Sequence, residues 1–248
     1  MSTHWEAVDY DRVSSPQRSW AEQIFARMEL RGDERILDAG CGSGRITGKL
    51  AAMVPDGEVV GVDSSEEMIA LARERFPDLD LRLGDLLELT DEDGFDLVFS
   101  NAVFHWISDH ERLFEVLARA LRPGGRIEAQ CGGYGNVARI KAIIEALTGD
   151  ARFAEHLAGL TVDWNFARPA DTERHLDRAG FSRARAWLEQ APVAPPEPRA
   201  YLETVCLRQP LDLLPEGLHA AFVDAVMART GRRPMLDYVR LNISAQKA

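Results

Sequence analysis

Leu37 to Gly44, LDAGCGSG, follows the strand-like run ERI and leads into SGRITGKLAAM, where Ile46, Leu50 and Met53 recur at helical spacing. A strand that passes into a helix through Gly40, Gly42 and Gly44 makes a tight turn, and a ligand can approach its backbone closely because no Cβ intervenes. The spacing is G-x-G-x-G. A dinucleotide fingerprint has its third glycine one residue later, where this chain carries Arg45, so a nicotinamide-dependent oxidoreductase is the weaker reading. The next β-type run, GEVVGVD, ends on Asp63, where a ribose would cross the sheet edge and a carboxylate accepts two hydroxyl hydrogen bonds. Ser64 and Glu67 stand at capping-box spacing for the helix EEMIALARERF, which leaves Asp63 for another partner.

Outward from this turn, strand and helix patterns alternate, as they do in a parallel sheet covered on both faces. DLDLRLGD and FDLVFSNAVF read as the third and fourth strands. Ser108 and Glu111 have capping-box spacing before HERLFEVLARAL, RPGGR ends that helix, and GGRIEAQC begins a fifth strand. Beyond Cys131 the alternation weakens into helical stretches, a sixth strand in ARAWLEQAP, an extended connector in APVAPPEPR and a late strand in MLDYVRLNISAQK. The pattern predicts a single α/β domain over 1–248, a doubly wound sheet with a helical cap from insertions at 132–168 and 193–234 that fold over the carboxyl ends of the strands. Residues 1–31 are expected to form an N-terminal lid, with a helix from Pro16 that buries Trp20, Ile24 and Met28.

Composition narrows the function. Of 248 residues, 46% are hydrophobic, enough for one large core, and 29 Lys and Arg against 40 Asp and Glu give a formal net charge of −11. That sign opposes a nucleic-acid partner. No apolar run approaches the length of a membrane helix and the N-terminus has no signal-peptide pattern, so the expected location is cytoplasmic, with no membrane partner. Cys41, Cys131 and Cys206 are far apart and odd in number, as reduced thiols are, and the six histidines lack ligand spacing, so no metal is expected.

LDAGCGSG, then VDSS at 62–65, Gly84-Asp85, and SNAVFHW at 100–106 form an ordered series across the first half of the chain. It resembles the motif series of class I S-adenosylmethionine-dependent methyltransferases. The resemblance implies a Rossmann-like fold with a seven-stranded, mostly parallel sheet, S-adenosyl-L-methionine as cofactor, and methyl transfer as the activity. It implies that Asp38, Gly40, Cys41, Gly42 and Gly44 hold the methionine end and that Asp63 binds the ribose hydroxyls. By the same resemblance Asp85 with Leu86 lies at the adenine edge, Asn101 and Ala102 flank the sulfonium, and Tyr10, Ser64, Met68 and Gly84 are further cofactor-binding residues. The chemistry agrees, since a ligand with a sulfonium and an ammonium calls for carboxylates and carbonyls, and the loop has no lysine for a phosphate.

Tyr10 and Gln17 stand seven apart, and His105-Trp106 follows the fourth strand. That pairing resembles the carboxylate-methylating branch, which includes juvenile hormone acid and malonyl-carrier-protein methyltransferases, and the Trp106, Asp109, His110 spacing is similar to that of trans-aconitate methyltransferases. The implied acceptor is a small carboxylic acid. A carboxylate with a pKa of about 4 is already ionised at neutral pH, so its methylation needs desolvation and alignment rather than a base. The Gln17 amide and Trp106 indole N–H can hold one carboxylate oxygen and leave the other to attack. Two alternatives stay open: hydroxyl or phenol methylation with His105 as base, and a non-catalytic cofactor-binding subunit. Arg139, Lys141, Arg152, Arg229, Arg232 and Arg233 are candidates to anchor a distant acidic group, and Tyr134, Trp164 and Phe166 to line an acceptor pocket. The oligomeric state is not encoded in any of these motifs.

Overall fold

The computed structural model describes residues 15–162 and 164–248. Tyr10 lies outside the described residues, and so does the side chain of Gln17. Seven strands form one sheet: β1 (Arg35–Ala39), β2 (Glu58–Asp63), β3 (Asp80–Leu83), β4 (Phe95–Asn101), β5 (Leu121–Gly132), β6 (Phe181–Gln190) and β7 (Val239–Lys247). Their order is β3-β2-β1-β4-β5-β7-β6. The first five pair in parallel, whereas β7 runs antiparallel to both neighbours. The chain winds outward from β1 through β2 and β3, then crosses to β4, so a crevice opens at the carboxyl ends of β1 and β4.

Period-two alternation sends side chains to two cores. Leu37, Ala39 and Val98 pack on one face with α4 (His110–Ala120) and α7 (Pro169–Arg178), as the apolar stripe of HERLFEVLARAL requires. Ile36, Leu97 and Phe99 pack on the other with α2 (Arg45–Met53) and α1 (Ser15–Phe25), which contributes Ala21 and Ile24. Each such fully buried aliphatic side chain contributes about 1.5 to 3 kcal/mol. α3 (Glu66–Arg75) places Ile69 and Ala72 against Cys41 and Leu81.

Beyond the sheet, α5 (Ala138–Thr148), α6 (Ala154–Leu157), α8 (Pro198–Tyr201), α9 (Arg208–Leu213) and α10 (Glu216–Thr230) share a hydrophobic cluster of their own. A π-helical turn, Leu202–Cys206, continues α8. Trp20 belongs to this cluster although Ile24, one turn further on, belongs to the sheet core, so α1 is wedged between the two.

Three local expectations are corrected. The cap of α3 is Ser65, not Ser64: its Oγ accepts from the Met68 N–H at 3.3 Å and donates to Glu67. The cap of α4 is Asp109, not Ser108, with the Arg112 N–H donating to its carboxylate at 2.9 Å. RPGGR does not separate α4 from β5, because Leu121 already pairs with Phe95 and the ladder resumes at Arg126 opposite Leu97, which bulges Pro123 to Gly125 out of register.

The polar face of the β5–β7 pair is buried. Gly132, Gln130 and Glu128 lie opposite Arg240, Asn242 and Ser244. The segment after α1 closes over them through Arg27, which donates to Glu128 at 3.0 Å, to Asn242 Oδ1 at 2.9 Å and to the Ala129 carbonyl at 3.1 Å. Removing Arg27 leaves the Glu128 carboxylate without its cation in a largely buried setting. Arg27→Ala is expected to cost about 2 to 3 kcal/mol, below the cost of breaking a fully buried pair because Arg27 is partly exposed. Thermal unfolding should register this as a fall of about 4 to 12 °C, at about 2 to 4 °C per kcal/mol. An unchanged midpoint would show that this network does not hold α1 to the sheet.

Candidate active site

The turn after β1 is fixed by its backbone. Gly40 and Cys41 donate to the Val62 carbonyl at 2.8 and 3.0 Å, which ties the turn to the end of β2. Gly40 has φ +86°, and a Cβ there would lie 2.2 Å from Val103 Cγ2. Gly42 has φ +52°, and a Cβ there would meet no atom within 4 Å, so its outer side faces open space. Gly44 seats the start of α2 against Ala72 and Phe76.

Two carboxylates flank this turn. Asp38 lies on the Ile36 face of β1, 2% exposed, and accepts from the Thr47 hydroxyl of α2 at 2.7 Å. Burial pushes its carboxyl up to about 7; the Thr47 hydrogen bond opposes the shift and the charge of Asp63 adds to it. Asp63 is not left free by a capping box: its Oδ2 accepts from the Gly42 N–H at 2.9 Å and its Oδ1 from the Ser65 N–H at 2.9 Å. Burial raises its carboxyl too, against those bonds. Each oxygen keeps a second lone pair, so the carboxylate braces the turn and still has acceptor capacity toward the crevice. Cys41 is buried beside these acids and its thiol is pushed up by burial.

Of the remaining expected cofactor residues, Ser64 is exposed at the crevice rim and Met68 is buried beneath it. Gly84 follows β3, and exposed Asp85 accepts from the Leu87 N–H at 2.8 Å, capping the short turn Leu86–Glu88 in which Leu86 is buried. Asn101 and Ala102 leave β4 at the opposite wall, Ala102 with φ +64° and its N–H bonded to the Gln130 carbonyl at 2.7 Å. The Ser100 hydroxyl reaches the Ala39 carbonyl at 2.6 Å and locks β4 to β1.

Past Val103 the turn Phe104–Trp106 presents His105 and Trp106. It is held from below by buried His110, whose Nε2 lies 2.9 Å from the Phe104 carbonyl, and from above by Asn165. Asn165 donates to the carbonyls of His105, Ile107 and Ser108. Of the outer members of the HWISDH pattern, His110 therefore holds the turn and Asp109 caps α4. A cavity beside it is lined by Ala102, His105, Trp106, Trp164, Phe166 and Trp20, together with Tyr238, Cys206 and Arg240.

His105 is buried, and its Nδ1 accepts from the Gly132 N–H at 3.3 Å. The ring proton is thereby assigned to Nε2, and burial, with Arg240 and His110 nearby, drives the imidazole well below its ordinary pKa. A neutral ring with Nδ1 occupied donates from Nε2, so this geometry does not support His105 as a base. Tyr134 is exposed and stacks beneath Arg168 at 3.4 Å instead of lining the cavity. None of the six expected anchoring cations lines this cavity; Arg152 pairs with Asp150 and Arg229 donates to the Ala225 carbonyl of its own helix. Arg240 is not among the residues expected from the sequence. It is 2% exposed, stacks over Trp20 at 4.0 Å and donates to Gln130 Oε1 at 3.3 Å.

A doubly wound sheet with this strand order, a glycine turn braced by an acid on the neighbouring strand, and an aromatic cavity beyond β4 define a class I S-adenosylmethionine-dependent methyltransferase. The sequence model of the methyltransferase domain matches residues 36–125. The chain is 30% identical to trans-aconitate 2-methyltransferase of Variovorax paradoxus over 98% of both chains. It is 33% identical to the enzyme of that name from Methylobacterium nodulans, over 75% of this chain and 68% of the relative. Among solved structures it resembles phosphoethanolamine N-methyltransferase 2 of Haemonchus contortus, with a TM-score of 0.63 and 20% identity over 97% of this chain and 56% of that one. The chain belongs to the same S-adenosylmethionine-dependent methyltransferase family as these relatives, and its cofactor is S-adenosyl-L-methionine.

The two inner glycines separate stability from binding. Gly40→Ala should destabilise by about 1 to 3 kcal/mol because its Cβ overlaps Val103, and Val103→Ala in the same chain should recover part of that loss in a denaturant titration. Gly42→Ala should cost only about 1 kcal/mol for its left-handed backbone, yet weaken S-adenosylhomocysteine more than tenfold in calorimetry, since its methyl enters open space. Equal losses of stability and affinity in both variants would contradict this division.

Asp38 gives a pH signature. Folded Asp38 keeps a proton that the unfolded chain releases near 3.8, so the ligand-free protein should lose stability as the pH rises from about 4 to about 7. A cationic ligand favours the ionised form. Affinity for S-adenosylmethionine should therefore fall as the pH drops below about 7, approaching tenfold per unit, and the slope should vanish in Asp38→Asn.

Proposed function

We propose that this methyltransferase transfers the methyl group of S-adenosylmethionine to a carboxylate oxygen of a small acid. The observation that carries this reading is the hydrogen bond from the Gly132 N–H to His105 Nδ1, which occupies the ring's acceptor nitrogen. His105 is a neutral donor, burial holds the Cys206 thiol up at about 12, and burial together with Cys206 and Tyr201 holds the Tyr238 phenol well above its ordinary value. Among the described lining residues none is a base able to ionise an alcohol at neutral pH. An acceptor that arrives ionised fits such a wall.

The similarity to trans-aconitate 2-methyltransferases supports the same acceptor chemistry. The Asp38 and Asp63 carboxylates with the backbone of Gly40, Cys41, Gly42 and Gly44 hold the cofactor's cationic end and ribose. Ser64, Met68, Gly84, Asp85 and Leu86 form the adenine side, and Asn101 and Ala102 lie toward the sulfur. The cofactor supplies an electrophilic methyl group on a sulfonium. The protein's part is to bring the acceptor oxygen into line with it and exclude water. In this reading Trp106, 40% exposed and lining the cavity, and the His105 Nε2–H donate to one acceptor oxygen without neutralising the other. Gln17 is a further donor in this reading. Trp164 and Phe166 seal the site with aromatic surface.

An acceptor screen at saturating cofactor tests the proposal. Carboxylic acids should yield methyl esters with a kcat that is flat from pH 6 to 9, and Trp106→Phe should lower kcat about tenfold with S-adenosylhomocysteine affinity unchanged. Turnover of phenols or amines alone, or an acidic limb near neutrality that His105→Ala abolishes, would overturn it.

A further inference from the structure

We propose that the acceptor carries a compact, uncharged hydrocarbon group at the end remote from its reacting carboxylate, and that Val137 and Val205 set the length of that group. This rests on the carboxylate reading above and names the residues that discriminate between acids. Backbone geometry carries it. Three irregular backbone features line one cavity: Ala102 with φ +64°, Val137 with φ +43°, and the π-helical turn Leu202–Cys206, which supplies Val205 and Cys206. They come from well-separated parts of the chain, so their meeting is a property of the cavity and not of any one loop.

Val137 is the most telling of the three, because a branched Cβ fits the left-handed region poorly. The lead-in to β7 holds it there. The Val137 N–H donates to the Asp237 carbonyl at 3.0 Å, the Val239 N–H to Asn136 Oδ1 at 2.9 Å, and the Arg139 N–H to Asp237 Oδ2 at 3.1 Å. Glycine would adopt the same backbone without strain, so the isopropyl group is kept for what it contacts. It is 3% exposed, in the cavity wall. The π-helical turn is a second departure of this kind: the Leu207 N–H reaches back to the Leu202 carbonyl at 2.8 Å, which takes up one residue more than an α-helical turn. Within that widened turn Val205 and Cys206 line the cavity.

The polar groups of this wall are engaged by the protein. Asn136 Oδ1 has the Val239 N–H, the Tyr238 hydroxyl has the Tyr201 hydroxyl at 2.9 Å with Cys206 Sγ at 3.8 Å, and Arg240 has Gln130 at its Nε and Trp20 against its face. Val137, Cys206, Trp20 and Tyr238 belong to one hydrophobic cluster, and Val205 packs against it. An apolar group gains by leaving water for such a surface, whereas a second carboxylate would lose its hydration there. The donors His105 and Trp106 serve the reacting end.

Acrylate, crotonate, trans-2-hexenoate and trans-2-octenoate lengthen the hydrocarbon end stepwise, and fumarate replaces the methyl group of crotonate with a charge. The wild-type enzyme should favour crotonate over fumarate by at least about tenfold in kcat/KM, and KM should pass through a minimum along the series. Val137→Gly removes the isopropyl group and suits the left-handed backbone; it should raise KM for the preferred acid about tenfold and move the minimum to a longer acid. Val205→Phe fills the cavity from the other side and should move the minimum to a shorter acid, which keeps the test open even if Val137→Gly does not fold. A merely structural role would weaken all acids alike and leave the minimum in place. Titration of each acid into the S-adenosylhomocysteine complex reads the same order without turnover. A wild-type preference for fumarate, or a minimum that neither variant moves, would overturn the assignment of Val137 and Val205 and leave carboxylate methylation standing. Failure of every acid, fumarate included, both to bind and to react would remove the two together.

Discussion

The site depends on one steric constraint, the absence of room for a Cβ at Gly40. Val103, two residues beyond β4, occupies that space, so β1 must turn sharply close to the point where the chain leaves β4. The sharp turn lets Gly40 and Cys41 reach the Val62 carbonyl and aims the Gly42 N–H at Asp63. Three strands are thus joined through a few backbone bonds. The result is a shallow crevice with a buried acid on one side and a braced acid on the other, and burial raises the pKa of both. Such a pair is costly to ionise without a counter-charge, which is why a cationic ligand suits this position.

The second organising feature is the buried polar face between β5 and β7. Parallel strands in the middle of the sheet are apolar on both faces, but the antiparallel β7 carries Arg240, Asn242 and Ser244 on one face and Leu241, Ile243 and Ala245 on the other. Arg27, after α1, satisfies much of the polar face, and Trp20, within α1, supplies the ring on which Arg240 rests. The helix that closes the cavity and the strand that floors it are therefore held by one network. Its inner end is Arg240, at the cavity wall.

Much of the fold was legible because it depends on local pattern. The five parallel strands and their helices follow from period-two and period-3.6 runs, and the glycine turn announces itself by spacing. Helix caps were missed by one residue, because Ser64-Ser65 and Ser108-Asp109 each offer two adjacent oxygens and only the backbone decides which one caps. The role of Asp63 in bracing the turn was hidden for the same reason. Arg240 was illegible in kind: in MLDYVRLNISAQK it looks like an ordinary solvated position of an alternating strand, and only the antiparallel pairing with Gly132 brings it to the crevice. The six cationic residues read as anchors are spaced along helices and loops of the cap region, and nothing in their spacing shows that none of them lines the cavity. One signal was available, since a strand whose polar positions include Arg, Asn and Ser between Leu and Ile needs a covering partner, and α1 carries Trp20 and Gln23 one turn apart.

The most direct measurement is a crystal structure of the protein with S-adenosylhomocysteine bound. The ribose hydroxyls should lie within hydrogen-bonding distance of Asp63, the amino group on the Asp38 side of the glycine turn, and the sulfur should face the cavity between Ala102, Trp106 and Arg240. A nucleoside bound elsewhere, or a sulfur turned away from that cavity, would contradict the arrangement on which the acceptor chemistry rests.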